Sequence, residues 1–222
     1  MQALTVEGAE TRFVGGCVRD SLLNRKDIDN IDIATSLTPE QTLQLLENSG
    51  LRAIPTGLEH GTVTAIADNE IFEITTLRHD VKTDGRHATV TFTDDWITDA
   101  NRRDFTINAL FYDASSRTII DHVDGMRDIR HRTIRSIGNP NERFLEDPVR
   151  MLRAVVFAAR LDLTLDRAVA AAIRRHRGEI VHSSPARLVE ELYKIARSGS
   201  SERIIRDLGE AGLLRYLSLI HI

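Results

Sequence analysis

Apolar and polar residues alternate along the first half of the chain, and apolar residues at helical spacing dominate the second half. Arg12–Val14 reads as a short strand running into Gly15-Gly16, with a helix near Val18–Leu23, and Ile31–Ala34 is β-prone. Pro39–Asn48 follows a Ser/Thr-rich stretch and carries leucines at 43, 45 and 46, the pattern of a capped helix. Gly61–Ala67 and Ile71–Thr76 read as two strands joined by Asp68-Asn69, a hairpin turn signal. Lys82–His87 holds Asp84-Gly85 in a polar stretch and reads as a mobile loop. From about Asn141 the period changes. Pro148–Leu161, Asp166–Arg177 and Pro185–Ser198 read as helices, with Asp166 and Ser183 or Ser184 as starting caps and no strand candidate between them. The expected organisation is an α/β head over residues 1–137, a helical neck over 138–200, and the start of a helical body over 201–222. The final stretch, Leu217–Ile222, carries no clear stop.

Composition narrows the class. With 41% hydrophobic and 28% charged residues in 222, the chain has the balance of an ordinary globular protein. The single Cys17 excludes an intrachain disulfide and a cysteine-rich zinc site. No apolar run approaches the ~18 residues of a membrane span, and MQALTVEGAE is not a secretory signal, so a cytoplasmic location is expected. The net charge of -4 conceals two asymmetries. Lys26, Lys82 and Lys194 are the lysines among 29 basic residues, so arginine dominates. Residues 1–100 carry net -9, residues 101–160 net +3, and residues 161–222 net +2. An acidic segment followed by a basic one fits a cation site followed by a phosphate site, and fits a solvated surface equally well. Arginine suits planar, bidentate recognition of phosphate and bases; GC-rich coding produces the same bias.

Four segments hold candidate chemistry. Gly15-Gly16-Cys17-Val18-Arg19-Asp20 places two glycines between a strand and a helix, where backbone can approach a ligand and Arg19 can donate to a phosphate; the alternative is a simple turn. Asp27-Ile28-Asp29-Asn30-Ile31-Asp32 offers carboxylates near a strand end, as two Mg²⁺ ions ~3.5–4 Å apart require, or else a polar turn. Glu73 sits among apolar neighbours in an alternating strand and faces either solvent or a metal site. Arg102-Arg103-Asp104 either binds triphosphate or forms surface ion pairs worth little. In Glu146-Asp147-Pro148-Val149-Arg150-Met151-Leu152-Arg153, Pro148 suits the first helical position, which makes Asp147 the cap and puts Arg150 three residues on. A capped helix with a local ion pair accounts for that segment without any ligand.

In order, GGCVRD, DIAT, HGTVT, EITTLR, TDGRHA, RRDFTINAL and EDPVRMLRA span about Arg12 to Leu161. Together they resemble the class II CCA-adding enzymes and bacterial poly(A) polymerases, nucleotidyltransferases of the polymerase-β type. The resemblance implies an enzyme that adds nucleotides to an RNA 3′ end from CTP and ATP, with Mg²⁺ and without a nucleic-acid template. It implies a nucleotidyltransferase head built on a small mixed, mostly antiparallel sheet with helices, then an all-helical neck. Gly16, Arg19 and Arg103 would contact the incoming triphosphate, and Glu73 would be the third acidic residue near the metals. Asp147 and Arg150 would read the base, with Arg153 beside them. Cytosine N4 and adenine N6 both present an amino donor next to a ring-nitrogen acceptor, which suits a carboxylate beside an arginine. Uracil and guanine present the reverse pattern and would leave both side chains unpaired, about 1–3 kcal/mol per group.

Three departures accompany the resemblance. The family's Asp-x-Asp falls here on Asn30-Ile31-Asp32, in a stretch one residue longer, so a one-residue bulge would bring Asp29 to the face of Asp32 and make Asp29 with Asp32 the metal pair. Val156 stands where the family places another arginine. The family continues into further helical domains that grip RNA, so a fragment is expected. The expected substrates are tRNA lacking its 3′ CCA, CTP and ATP, with no membrane partner; the oligomeric state is not written in the sequence. A bacterial poly(A) polymerase is the nearest rival, and a catalytically weak RNA- or nucleotide-binding fragment is the rival of another class.

Overall fold

The computed structural model describes residues 1–6, 8–26, 28, 30–68, 70–83 and 88–217. Two units are distinguished by their internal contacts: residues 1–82, 88–103 and 107–129 form the first, and residues 83–87, 104–106 and 130–222 the second. No helix among the described residues is long and apolar enough to cross a membrane.

The first unit is built on a seven-stranded sheet. Its elements are β1 (Thr11–Val14), α1 (Gly16–Leu22), β2 (Ile31–Thr35), α2 (Pro39–Asn48), β3 (Arg52–Gly57), β4 (Thr62–Ala67) and β5 (Glu70–Thr76). There follow β6 (Arg78–Thr83), β7 (Ala88–Phe92), α3 (Trp96–Arg102), β8 (Leu110–Asp113), β9 (Thr118–Asp121) and α4 (Gly125–Arg130). The strand order is β3-β4-β5-β2-β1-β8-β9, and β6 with β7 makes a separate ribbon. β2 and β5 pair in parallel and the other neighbours antiparallel, so the mixed, mostly antiparallel sheet expected from the sequence is present.

Side chains alternate between the faces of a strand, and the register therefore sorts chemistry from core. Val14 lies opposite Asp32, Asp32 opposite Glu73, and Glu73 opposite Thr64, all on one face. The opposite face carries Ile33, Ile74, Val63 and Ala65, packed with Leu4, Leu37 and Leu46 into one apolar cluster. Each large side chain buried there contributes about 1.5–3 kcal/mol. α2 closes this face, and its start matches the sequence signal. Thr38 accepts from the Gln41 N–H at 3.3 Å, the Gln41 side chain accepts from the Thr38 N–H at 2.9 Å, and Pro39 opens the helix. One face is thus covered and apolar, and the other is free to carry charged groups.

The second unit is mainly helical: α5 (Pro140–Glu146), α6 (Val149–Leu161), α7 (Arg167–His176), α8 (Pro185–Ala196), α9 (Ser201–Glu210) and α10 (Leu214–Leu217). α6 is its centre, with Met151, Leu152, Ala154 and Val155 buried. Two details correct the sequence reading. A short parallel bridge, β10 (Thr133–Ile134) with β11 (Thr164–Leu165), lies where no strand was expected. Helix α6 begins at Val149 rather than Pro148, and Asp147 is an extended residue (φ -149°, ψ 93°) at the end of α5. The Asp147 carboxylate still accepts from the Val149 N–H at 3.3 Å, so the capping contact survives the shifted boundary. Asn69 of the expected hairpin turn, Asp84–His87 of the expected loop, and Ser218–Ile222 lie outside the described residues.

Candidate active site

In the first unit the site is assembled around Gly15. Its backbone has φ 75° and ψ -125°, a conformation open to glycine and strained for any other residue. A Cβ at Gly15 would stand 3.8 Å from Arg103 Nη1 and 3.8 Å from Asp32 Oδ2. A Cβ at Gly16 would stand 3.6 Å from Arg19 Nη2. The paired glycines therefore lie where two guanidinium groups and a strand-borne carboxylate converge. Strand β1 delivers the glycines, β2 delivers Asp32, and the end of α3 delivers Arg103.

Both arginines are held by acids. Arg19 is 6% exposed and donates Nε and Nη2 to the Asp20 carboxylate at 2.8 and 2.9 Å, and Nη1 to Asn108 Oδ1 at 2.5 Å. Arg103 donates Nε and Nη2 to Asp99 Oδ2 at 3.1 and 2.8 Å, with its guanidinium 5.6 Å from the centre of the Phe111 ring. Asp99 is 1% exposed and also accepts from Arg102 Nε at 2.8 Å and the Arg78 N–H at 3.3 Å. Burial pushes the Asp99 carboxyl up, and Arg103 and Arg102, by charge and by hydrogen bonding, outweigh it and leave it below its ordinary range. Sequence reasoning missed Asp99, although its spacing of three and four residues from Arg102 and Arg103 on a short helix is a readable signal.

Asp32 is half-buried and faces Glu73 across the parallel β2–β5 pair. Burial raises the Asp32 carboxyl first and the Glu73 charge raises it further, with Arg103 and Arg19 pulling the other way. Glu73 is exposed. Two adjacent hard oxygen donors, one raised by its like-charged neighbour, are the donor type that a divalent cation stabilises. Among the described residues no group of three or more metal-ligating side chains is gathered. Asp29, the other expected ligand, lies outside the described residues, and Asn30 is exposed just before β2. Cys17 is buried beneath the same strands and donates its thiol to the Val14 carbonyl at 3.3 Å; burial pushes that thiol up, away from reactivity.

In the second unit, Asp147, Arg150 and Arg153 follow one another along the α5–α6 junction. The local Asp147–Arg150 ion pair expected from the spacing is long, with Arg150 Nε 3.9 Å from Asp147 Oδ2. Arg150 instead donates Nη1 to Glu146 at 2.9 Å and to the Arg143 carbonyl at 3.1 Å. The Asp147 carboxylate is forked by Arg187 of α8, at 3.0 Å to Oδ1 and 2.6 Å to Oδ2. Arg153 donates twice to Asp104 Oδ2, at 2.9 and 2.8 Å, and once to Glu191 at 3.2 Å. Asp104 above all, and then Glu191, raises the Arg153 guanidinium against the opposing effect of burial. Arg187 and Glu191 went unread in the sequence because they stand 40 and 38 residues from the groups they hold.

A family model described as "Poly A polymerase head domain" matches residues 11–135, and one described as "Probable RNA and SrmB- binding site of polymerase A" matches residues 162–219. A CCA-adding enzyme from Levilactobacillus brevis is 39% identical over 218 residues, which are 97% of this chain and 53% of that protein. The mitochondrial CCA tRNA nucleotidyltransferase 1 of Danio rerio is 38% identical over 219 residues, covering 95% of this chain and 49% of its own. Among solved structures, the Bacillus stearothermophilus CCA-adding enzyme in complex with CTP aligns at a TM-score of 0.87 and 36% identity, over 99% of this chain and 52% of that chain. A tRNA nucleotidyltransferase complexed with a primer tRNA and an incoming ATP analog aligns at a TM-score of 0.82 and 27% identity, over 95% and 59%. The chain spans about half the length of the curated relatives it matches. With the family match running through the segment that carries Gly16, Arg19, Asp32, Glu73 and Arg103, the chain belongs to the poly(A) polymerase head domain family.

Proposed function

We propose that this chain carries the catalytic part of a CCA tRNA nucleotidyltransferase, adding C, C and A to the 3′ end of a tRNA that lacks them, with CTP and ATP as donors. The observation that carries the reading is the likeness to CCA-adding enzymes along nearly the whole chain, 39% identity over 218 residues in one case, joined to the two-guanidinium cluster at Gly15-Gly16. In the reaction the primer's 3′ hydroxyl loses its proton to solvent water, its oxygen forms a bond to the α-phosphorus, the bond from that phosphorus to the β-phosphate bridge oxygen breaks, and pyrophosphate leaves. Arg19 and Arg103 hold the triphosphate and offset its charge, with Gly16 letting the phosphates close on the backbone. Asp29, Asp32 and Glu73 supply the carboxylates, and Mg²⁺ held by Asp29 and Asp32 would supply activation of the hydroxyl and stabilisation of developing negative charge. Asp147 and Arg150 read the amino-donor, ring-acceptor edge shared by cytosine and adenine, with Arg153 fixed beside them.

The test is a primer-extension assay on tRNA transcripts ending before the CCA, with CTP and ATP. Ordered addition of C, C and A is the expected product. A long A tract would replace the reading with poly(A) polymerase, and nucleotide binding without any extension would replace it with a binding fragment.

A further inference from the structure

We infer that Arg187 is a positioning residue for nucleotide choice, aiming the Asp147 carboxylate so that one acceptor site of Oδ2 points at the base edge beside Arg150; the inference rests on the proposed reading of Asp147 as the base reader. Asp147 sits in extended backbone between two helices, where no regular hydrogen-bonding pattern holds its side chain. What fixes the carboxylate is the fork from Arg187, at 3.0 Å to Oδ1 and 2.6 Å to Oδ2, with the longer 3.3 Å contact from the Val149 N–H to Oδ1.

Counting acceptors gives the fork its consequence. An ionised carboxylate offers about four lone-pair positions, two on each oxygen. Arg187 and Val149 use both positions on Oδ1, and Arg187 uses one on Oδ2. The position that remains belongs to Oδ2, the oxygen 3.9 Å from Arg150 Nε. An amino group entering there meets an acceptor, and the ring nitrogen beside it meets the Arg150 guanidinium. A base with a carbonyl at that place meets a group that only accepts. Arg187 thus converts a rotatable carboxylate into an oriented one, and its planar fork is what performs this; a lysine supplies charge at one point without fixing the plane. Arg187 itself is 46% exposed on its side chain and comes from α8, so it supports the reader without belonging to the core.

The experiment measures dissociation constants of CTP and UTP, with Mg²⁺, for the purified chain and for Arg187→Ala, Arg187→Lys, Asp147→Ala and the double variant Asp147→Ala/Arg187→Ala. Binding is read directly, so RNA affinity and turnover do not enter. Arg187→Ala is expected to lower the CTP-over-UTP preference about tenfold, the size of one hydrogen bond to a charged group, and Arg187→Lys to recover part of it. In the Asp147→Ala background, Arg187→Ala is expected to change the preference no further. A merely structural role would weaken both nucleotides equally and leave the ratio alone. If Asp147→Ala collapses the preference while Arg187→Ala keeps it within twofold of the parent chain, Arg187 does not position the reader and the inference is overturned with the base-reading role intact. If Asp147→Ala keeps the preference, or the parent chain has none, the base-reading role falls and the inference falls with it.

Discussion

Removing the Asp99 carboxylate is the perturbation with the sharpest expected consequence. Asp99 is 1% exposed and receives N–H donors from Arg102, Arg103 and the Arg78 backbone. Deleting one partner of a buried pair costs about 3–5 kcal/mol. Both guanidinium groups keep an edge towards water, at 14% and 18% side-chain exposure, so part of that penalty is relieved. A loss of about 2–3 kcal/mol is expected for Asp99→Ala, roughly 5–10 °C in melting temperature for a chain of this size. Asp99→Asn keeps one acceptor oxygen and is expected to lose about half as much. The pH dependence follows from the sign of the shift. The folded-state pKa lies below the ordinary carboxylate value, so the stabilisation is present above that value and is lost as pH falls through the lowered one. Denaturant melts of parent and Asp99→Asn should therefore differ most near neutral pH and begin to converge below about pH 4. CTP affinity should drop in both variants, because Arg103 loses its fixed orientation. A variant within about 0.5 kcal/mol of the parent, the range of an ordinary surface substitution, or a stability difference that does not close in acid, would refute the view that Asp99 holds the Arg102 and Arg103 guanidinium groups in place.

Other expectations test the neighbouring residues. Gly15→Ala places a side chain on backbone at φ 75° and should cost about 1–3 kcal/mol by thermal melting, with weaker CTP binding, because the new Cβ enters the space between Arg103 and Asp32. Asp32→Ala should abolish nucleotide addition while leaving the fold measurable by circular dichroism; Asp29→Ala should do the same, and full activity in that variant would leave Asp29 without a metal role. Leu46→Ala, in the cluster behind the sheet, should cost about 2–5 kcal/mol in a urea melt with nucleotide specificity unchanged.

What could be read in the sequence follows the range of the interactions involved. α2 was legible because its start signal is local: a capping box at Thr38 and Gln41 with Pro39 at the first turn. β3 was not, because Arg52–Gly57 is half-exposed and carries Pro55. It occupies an edge of the sheet, where a proline costs no ladder hydrogen bond on the open side. α3 and α5 span seven residues each, too short to establish a period. The site divides the same way. The glycine pair, Asp32 and the Arg102-Arg103 pair stand in contiguous motifs, whereas the groups that orient the second-unit residues are distant in sequence: Arg187 and Glu191 come from α8, and Asp104 stands 49 residues before Arg153.

The arginine bias takes on a structural meaning through these contacts. Asp20 holds Arg19, Asp99 holds Arg103, Asp104 holds Arg153, and Arg187 holds Asp147, each by two short N–H contacts from one guanidinium. A guanidinium has five donors in a rigid plane, so two contacts to one carboxylate fix the direction of the whole group. An ammonium bound the same way spends its charge on the carboxylate and keeps no defined direction. A coding bias towards arginine would not explain why acids stand at fork distance from the arginines of GGCVRD, RRDFTINAL and EDPVRMLRA. The acids paired in this way also account for part of the negative charge that the first hundred residues carry. That charge is spent in part on aiming cations: Asp20 and Asp99 belong to the net -9 segment, and each holds an arginine at Gly15-Gly16.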